Sequence, residues 1–393
     1  MAEVFRRAVD LFHRKEVYPY LTGGAAKDDR EIAHERVLNL MERLQRSDLT
    51  MSTLSQLFVY RDPILSLTLF GKRVPNPLGI AAGFDKDARV YRFLGEALGF
   101  GIVKPGSITK LDFGGNPRPR IFDLPQNDGL INRMGFPGGG TDRAEVRLKA
   151  DRRYREFMLI INIAASKPSF ERNTAIEDYG AAYSQMLPYG DAIEVNISSP
   201  NTPGVRGLQE PEVFEQLASH IKDIRDGRVY GFRPLIYKFG PDLPAERLEK
   251  DLRIAIDNGA DGVTLTNTST NPTLRESLKP DVHKNEIGGM SGALLEPLAL
   301  DVSHRAYDYI GGQIEIFRAG GIGRSARDIW DALTFGGASA VDAYASFVRE
   351  TTSSPNYTFY RLRDLARAMR AKGMTSMDDF KVLRGKRVPF PKI

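Results

Sequence analysis

The stretch IEIFRAGGIGRSARDIWDALTFGGASAVDAYAS (314–346) contains one complete unit of the predicted fold. An apolar run (314–320) ends in glycine, an amphipathic helical pattern (325–335) follows, and a second apolar run (340–346) ends in small and polar residues. Short apolar runs separated by a helical pattern are typical of parallel strands joined by a crossover helix. The stretch therefore predicts a strand–helix–strand unit.

The same pattern recurs along the chain from residue 77, with helical patterns such as 211–225 and 245–259 between the apolar runs. Eight nearly continuous apolar strands predict a parallel sheet buried on both faces, and the number eight favours closure into a (β/α)8 TIM barrel, an α/β fold. An open doubly wound sheet is the alternative. The other six runs are PLGIAAG (77–83), IVKPGS (102–107), MLIINIA (158–164), AIEVNIS (192–198), LIYKFG (235–240) and GVTLTNT (262–268).

The composition excludes several kinds of chemistry. The chain has 393 residues, no cysteine, and 55 Lys and Arg against 50 Asp and Glu, which gives a net charge of +5. Without cysteine there is no disulfide scaffold, no thiolate nucleophile and no Cys-ligated metal cluster. Because the basic residues are scattered and no metal-binding signature is present, neither a nucleic-acid partner nor a metal site is expected.

Residues 1–60 differ from the rest in carrying short amphipathic helical patterns, one of which places Val37, Leu38, Met41 and Leu44 on one face. A helical pair packed on the main domain is one interpretation. A basic, apolar-faced pair that rests on a membrane surface or admits an apolar ligand is the other. No bilayer-spanning stretch and no signal peptide is predicted. The expected domains are this extension (1–60), the barrel (61–373) and a C-terminal tail (374–393).

Barrel enzymes place their active sites at the carboxyl ends of the strands. Amide and lysine side chains are concentrated there. Such groups suit a planar heterocycle with alternating C=O and N–H groups, for which a flavin and a pyrimidine are both candidates. For any single asparagine, a turn or a helix cap is the alternative. The residues concerned are Asn132, Asn162, Asn196, Asn201, Asn267, Lys86 and Lys238.

Two loops of the predicted barrel suggest a phosphate site. RAGGIG (318–323) follows strand seven and precedes a helix, and AYAS (343–346) ends strand eight. In barrels these two loops and a helix N-terminus commonly bind phosphate through backbone N–H groups. A tight left-handed turn without a ligand is the alternative.

The loop NISSPNTPG (196–204) after strand four offers two serines but no histidine. All five histidines (13, 34, 220, 283 and 304) lie outside the predicted strand ends, so a Ser-His-Asp hydrolase triad is not expected. A serine here would act as a proton relay or an unusual base. About fifty residues separate strands two and three, which predicts a lid or hairpin over the mouth.

Seven motifs, in order and spacing, resemble the class 2 dihydroorotate dehydrogenases. The resemblance covers about residues 16–372 and implies an FMN enzyme that oxidises (S)-dihydroorotate to orotate in de novo pyrimidine biosynthesis and passes electrons to a membrane quinone. Class 1 enzymes use a cysteine as base, so a cysteine-free chain fits class 2. The motifs are NPLGIAAGFDKDA (76–88), GNPRPRIFDLP (115–125), LINRMGF (130–136), VNISSPNTPGVRGLQ (195–209), TLTNTST (264–270), EIGGMSG (286–292) and AGGI (319–322).

The resemblance also implies roles for individual residues. Ser199 would take a proton from C5 of dihydroorotate while hydride leaves C6. The substrate would be bound by Lys86, Asn132, Arg133, Met134, Gly135, Phe136, Asn196, Asn201, Asn267 and Thr268. FMN would be bound by Ala82, Gly83, Phe84, Asp85, Lys86, Ser107, Asn162, Asn196, Lys238, Thr266, Gly292, Gly321, Tyr344 and Ala345.

The resemblance further implies that two helices within about residues 3–48 form the quinone entrance and associate peripherally with the inner or cytoplasmic membrane face. Some positions depart from the family pattern: Lys104-Pro105, Ala164-Ala165, Arg318, Ala345, and Asp123 in place of an arginine that faces the quinone. These departures leave open an FMN barrel that acts on another pyrimidine-like substrate, or a catalytically silent FMN-binding barrel.

Overall fold

A computed structural model describes residues 29–393, apart from 152, 203, 228–232 and 352–353, together with 6, 10, 15, 17 and 22–24. Most of the first of the two helices expected within residues 3–48 lies outside the described residues. The second predicted helical pattern forms α1 (Arg30–Leu44), which buries Leu38 and Met41. A further helix, α2 (Asp48–Phe58), follows it and is capped by Ser47.

Eight parallel strands close into a barrel. The first strand pairs with both the second and the eighth, and the second pairs with the third, so the sheet has no open break. The predicted barrel is therefore confirmed, and the open-sheet alternative is wrong. The strands are β1 (Leu78–Ile80), β2 (Ile102–Val103), β3 (Met158–Ala164), β4 (Ala192–Asn196), β5 (Leu235–Phe239), β6 (Gly262–Leu265), β7 (Glu315–Ala319) and β8 (Ala340–Ala343).

Helices cover the outside of the barrel, so both faces of each strand are buried; every residue of β3, for example, is buried. The predicted helical patterns 211–225, 245–259 and 325–335 are confirmed with ends shifted by at most two residues. The helices after α2 are α3 (Gly140–Ala150), α4 (Lys167–Glu171), α5 (Ala175–Met186), α6 (Pro211–Asp226), α7 (Ala245–Asp257), α8 (Pro272–Glu276), α9 (Glu296–Ile310), α10 (Ala326–Leu333), α11 (Ala345–Thr351) and α12 (Tyr357–Ala371).

The amino end of the barrel is plugged. An antiparallel hairpin, Leu67–Leu69 with Lys72–Val74, packs Leu69 and Val74 against apolar side chains of the strands, among them Met158 and Phe317. Because apolar side chains of the described residues fill this end, the carboxyl end is where a ligand can enter.

A three-stranded antiparallel sheet lies over the carboxyl end. Ile121–Leu124 and Gly129–Asn132 form the hairpin predicted between β2 and β3, and Gly289–Gly292 adds the third strand. Phe122 and Met290 are part of its small apolar core. This sheet, called the lid here, and α1 together narrow the mouth.

A buried ion pair joins α1 to the lid. The Arg120 guanidinium donates to both carboxylate oxygens of Glu31 at 2.6 and 2.7 Å, and it also donates to two backbone carbonyls of its own segment. Both side chains are 4% exposed. Although burial opposes ionisation, Arg120 holds the pKa of Glu31 below its ordinary value.

Arg120→Met is expected to lower the free energy of unfolding by about 3–5 kcal/mol, because it removes the buried cation that binds both oxygens of the buried Glu31 carboxylate, and Arg118 contacts one of those oxygens. Denaturant unfolding measures the loss. Arg118→Met is the matched control: Arg118 contacts the same carboxylate at 3.2 Å but is 47% exposed, so its loss is expected to cost less than about 1 kcal/mol.

The pH dependence gives a second readout of the same pair. Since the folded-state pKa of Glu31 is lowered, the stabilisation is present above the ordinary pKa and is lost as the pH falls through the folded value. The difference between wild type and Arg120→Met should therefore shrink in acid. Equal costs for the Arg118 and Arg120 variants at neutral pH would contradict the assignment.

Candidate active site

A cavity of about 570 Å³ opens at the carboxyl end of the barrel, between the strand ends, the lid and α1. Most of the predicted site residues line it. Those that do are Ala82, Gly83, Phe84, Lys86, Ser107, Asn132, Met134, Gly135, Phe136, Asn196, Ser199, Asn201, Lys238, Thr266, Asn267, Thr268, Gly292, Gly321, Tyr344 and Ala345.

Three predicted residues lie outside the cavity wall. Asp85 accepts from the backbone N–H groups of Arg89 and Val90, and burial raises its pKa to about 6. Arg133 turns to the outside of the lid, where it pairs with Glu286 at 2.7 Å. Asn162 is fully buried beneath the cavity. For these three, direct ligand contact is not supported by their positions.

The amide side chains hold one another in place. Asn267 Nδ2 donates to Asn196 Oδ1 at 3.2 Å, and Asn196 Nδ2 donates to Ser107 Oγ at 2.9 Å. Across the mouth, Asn201 Nδ2 donates to Asn132 Oδ1 at 3.1 Å. Because β2, β4, β6 and the lid bring these groups together from distant parts of the sequence, the cavity has a polar wall with fixed orientations.

Ser199 lies in the loop after β4 and is 6% exposed. Its Oγ accepts from the backbone N–H of Asn201 at 3.3 Å, an interaction that fixes the hydroxyl position. The neighbouring Ser198 points elsewhere, since its Oγ contacts the amides of Asn196 and Asn267 and does not line the cavity. Only one of the two serines predicted in this loop therefore faces a ligand.

Two ammonium groups line the cavity without a protein partner. Among the described residues, neither Lys86 nor Lys238 makes a hydrogen bond or an ion pair. Burial lowers the pKa of both. Unpaired buried cations are costly, so this arrangement favours binding of an anionic or electron-rich ligand.

Other polar atoms of the wall are also unsatisfied. The Thr266 and Thr268 hydroxyls are buried and have no hydrogen-bond partner within the described part of the chain. At the phosphate loop predicted from sequence, Gly321 has φ +74°, and a Cβ there would lie 2.8 Å from the backbone nitrogen of Glu296. The glycine therefore brings this turn close to the start of α9, which leaves backbone groups of the turn at the cavity wall.

Asp342 and His34 are two of the wall residues that sequence reasoning missed. Asp342 comes from β8, whereas the sequence pointed to amide and lysine side chains at the strand ends. His34 comes from α1; its Nε2 bonds the Phe84 carbonyl oxygen at 2.8 Å, and burial lowers its pKa well below the ordinary value. The Asp in AVDAYAS was a usable signal for the first. For His34 only the helical pattern of α1 was visible.

The departure at Asp123 is compensated by neighbouring arginines. Asp123 lines the cavity on the lid and pairs with Arg30 of α1 at 2.9 Å and with Arg349 of α11 at 3.2 Å. Positive charge is therefore present beside position 123, but α1 and α11 supply it.

Comparison with known proteins agrees with this architecture. The family model described as dihydroorotate dehydrogenase matches residues 64–359. The chain belongs to the dihydroorotate dehydrogenase family. It is an enzyme of the oxidoreductase class, and its family members carry the barrel seen here.

Relatives of this dehydrogenase are similar over most of their length. The dihydroorotate dehydrogenase (quinone) of Erythrobacter litoralis is 38% identical over 325 residues, 81% of this chain and 88% of the relative. That of a Mycobacterium species is 35% identical over 350 residues, 89% and 93% of the two chains. The ligand-free DHODH structure from Eimeria tenella is 28% identical, with a TM-score of 0.80 over 92% of this dehydrogenase and 100% of that chain.

Among the described residues of this dehydrogenase, no helix is both long enough and apolar enough to cross a membrane.

Proposed function

We propose that the protein oxidises (S)-dihydroorotate to orotate, with FMN as cofactor and a membrane quinone as electron acceptor, in de novo pyrimidine biosynthesis. The observation that carries the proposal is a polar amide wall around Ser199 together with two ammonium groups that have no ion pair among the described residues. A pyrimidine ring with a carboxylate matches such a wall, because the amides can donate and accept while a cation offsets the carboxylate.

For the substrate, the amides of Asn132, Asn201 and Asn267 would bind the ring, and Lys86 would bind the carboxylate. Met134 to Phe136 and Thr268 line the same cavity. Ser199 Oγ would accept the proton from C5, since it is the hydroxyl of the loop that reaches the cavity. The lid and α1 would limit access of water to this proton.

The residues present also fit an FMN. The open turn at Gly321 and the loop at Tyr344 and Ala345 would hold the phosphate through backbone N–H groups. Lys238 and the unsatisfied Thr266 hydroxyl would bind the ring system. When bound, FMN supplies an acceptor for the hydride from C6.

The proposed binding of the quinone acceptor rests on the outer part of the same cavity. There α1 contributes Ala33, His34 and Val37, and α11 contributes Val348. These four groups carry no charge, since burial lowers the pKa of His34, and the nearby Asp123 is paired with Arg30 and Arg349. This side therefore suits an uncharged, lipid-soluble quinone better than a charged nucleotide. We infer that the extension 1–60 is the quinone entrance and associates peripherally with the inner or cytoplasmic membrane face.

An anaerobic titration tests the proposal. Purified protein should be yellow, should lose its flavin absorbance on addition of dihydroorotate, and should regain it on addition of a soluble quinone. A colourless protein that cannot be reconstituted with FMN would rule out the proposal. Bleaching by another dihydropyrimidine but not by dihydroorotate would reassign the substrate, and flavin that no substrate reduces would indicate a silent barrel.

A further inference from the structure

Four ionisable side chains meet inside the barrel at the floor of the cavity. Lys104 follows β2, Glu194 is on β4, Lys238 is on β5 and Asp342 is on β8; this group is called the floor cluster here. All four are at most 6% exposed. Two carry positive charge and two carry negative charge, so the cluster as a whole is neutral when all four are ionised.

The two lysines of the floor cluster differ in their ion pairs. Lys104 Nζ contacts Glu194 Oε2 at 2.6 Å and Asp342 Oδ2 at 2.7 Å, and it also donates to Thr264 Oγ1 at 3.0 Å. One lysine thus binds both carboxylates. Within the described residues, Lys238 makes no ion pair although both carboxylates lie close enough to affect its pKa.

The two lysines also differ in what they face. Lys238 and Asp342 line the cavity, whereas Lys104 and Glu194 lie behind the wall. Glu194 is held on its other oxygen by Asn162 Nδ2 at 2.5 Å, so it cannot turn toward Lys238 without losing contacts on both sides. The charge presented to the cavity therefore depends on contacts made behind it.

We propose that Lys104 is a positioning residue that sets the reduction potential of the flavin, because it binds Glu194 and Asp342 and so leaves the Lys238 cation available to the cofactor. The inference rests on the proposed function. A flavin gains negative charge when it is reduced, so a nearby cation favours the reduced form and a nearby anion disfavours it. In a buried site this effect is weakly screened.

Lys104→Met removes the cation that binds the two carboxylates and leaves the floor cluster with an excess negative charge. We expect the equilibrium constant for reduction of bound FMN to fall at least about tenfold, equivalent to about 30 mV for a two-electron couple. Glu194→Gln leaves an excess positive charge and should raise the constant by a similar factor. The double variant restores the charge balance and should return to within about threefold of wild type.

The experiment measures the redox equilibrium between the FMN of reconstituted holoenzyme and a reference dye of known potential. Absorbance reports how much of each is reduced. Lys72→Met is the matched control, because Lys72 pairs with Asp191 at 2.7 Å at the plugged end of the barrel. It removes a lysine from a Lys–Asp ion pair that is about one-quarter exposed and lies at the opposite end of the barrel, so it should not shift the flavin equilibrium. A structural effect of Lys104 alone would not produce opposite shifts in Lys104→Met and Glu194→Gln.

Each possible result supports or overturns the role of Lys104. A wild-type protein that takes up no FMN overturns the proposed function and this inference with it. A wild-type protein that binds and reduces FMN, with Glu194→Gln and Lys104→Met both within about twofold of it, overturns the inference alone. If Lys104→Met does not fold, Glu194→Gln and the double variant carry the test: a Glu194→Gln equilibrium that does not rise, or a double variant that does not return toward wild type, rejects the role of Lys104.

Discussion

Ser199→Ala is expected to retain bound FMN and to slow its reduction by dihydroorotate about 10²- to 10⁴-fold, the range typical of a lost general base. The reason is geometric. The Ser199 hydroxyl is fixed by the Asn201 backbone N–H and is the hydroxyl of its loop that lines the cavity. Stopped-flow absorbance under anaerobic conditions measures the rate directly.

Ser198→Ala is the matched control for this prediction. Ser198 is the adjacent residue and is also buried, but it does not line the cavity, and its hydroxyl contacts the amides of Asn196 and Asn267. Loss of one such hydrogen bond costs about 1 kcal/mol, so a loss of less than about tenfold is expected. If the two alanine variants reduced FMN at similar rates, Ser199 would not be the base.

Lys238→Met is expected to slow flavin reduction by about 10²- to 10³-fold, the size found when one preorganised group that stabilises developing charge is removed. Lys238 is buried, faces the cavity and makes no ion pair with any described residue, whereas Lys104, the other cation of the floor cluster, lies behind the wall. Methionine keeps much of the side-chain volume and removes only the charge. The same stopped-flow assay gives the rate, and flavin content is measured alongside.

The pH profile separates this electrostatic role from a structural one. Because burial lowers the pKa of Lys238, the wild-type rate should decline as the pH rises through that lowered value, where the ammonium loses its proton. The Lys238→Met variant should lack this alkaline decline. A variant that is slow but keeps the wild-type pH profile would show that Lys238 acts through packing.

Much of the fold could be predicted because its determinants are local. Each apolar run and each helical pattern occupies a short continuous stretch, and the number of units favoured closure. The lid was predicted only in part. Its hairpin lies in one long insertion, but its third strand, Gly289–Gly292, comes from more than 150 residues further along the chain, and no local pattern links the two.

The sequence alone determined the barrel, the carboxyl-end location of the site and the choice of a serine over a cysteine as candidate base. Only the tertiary structure decided which side chains of the strands face the cavity. In an amphipathic strand the polar residues mark the exposed face, but in this barrel both faces are buried and the alternation carries no such signal.

Lys104, Arg318 and Asp342 illustrate this limit. In the sequence, Lys104 and Arg318 are both departures from the family pattern, and nothing there distinguishes their roles. In the structure, Lys104 points into the barrel and binds Glu194 and Asp342. Arg318 instead donates to the Glu296 backbone carbonyl at the start of α9 at 2.9 Å. Their partners are 22 to 238 residues away. Charge inside a closed barrel is balanced between strands, so its role is fixed only when the strands meet.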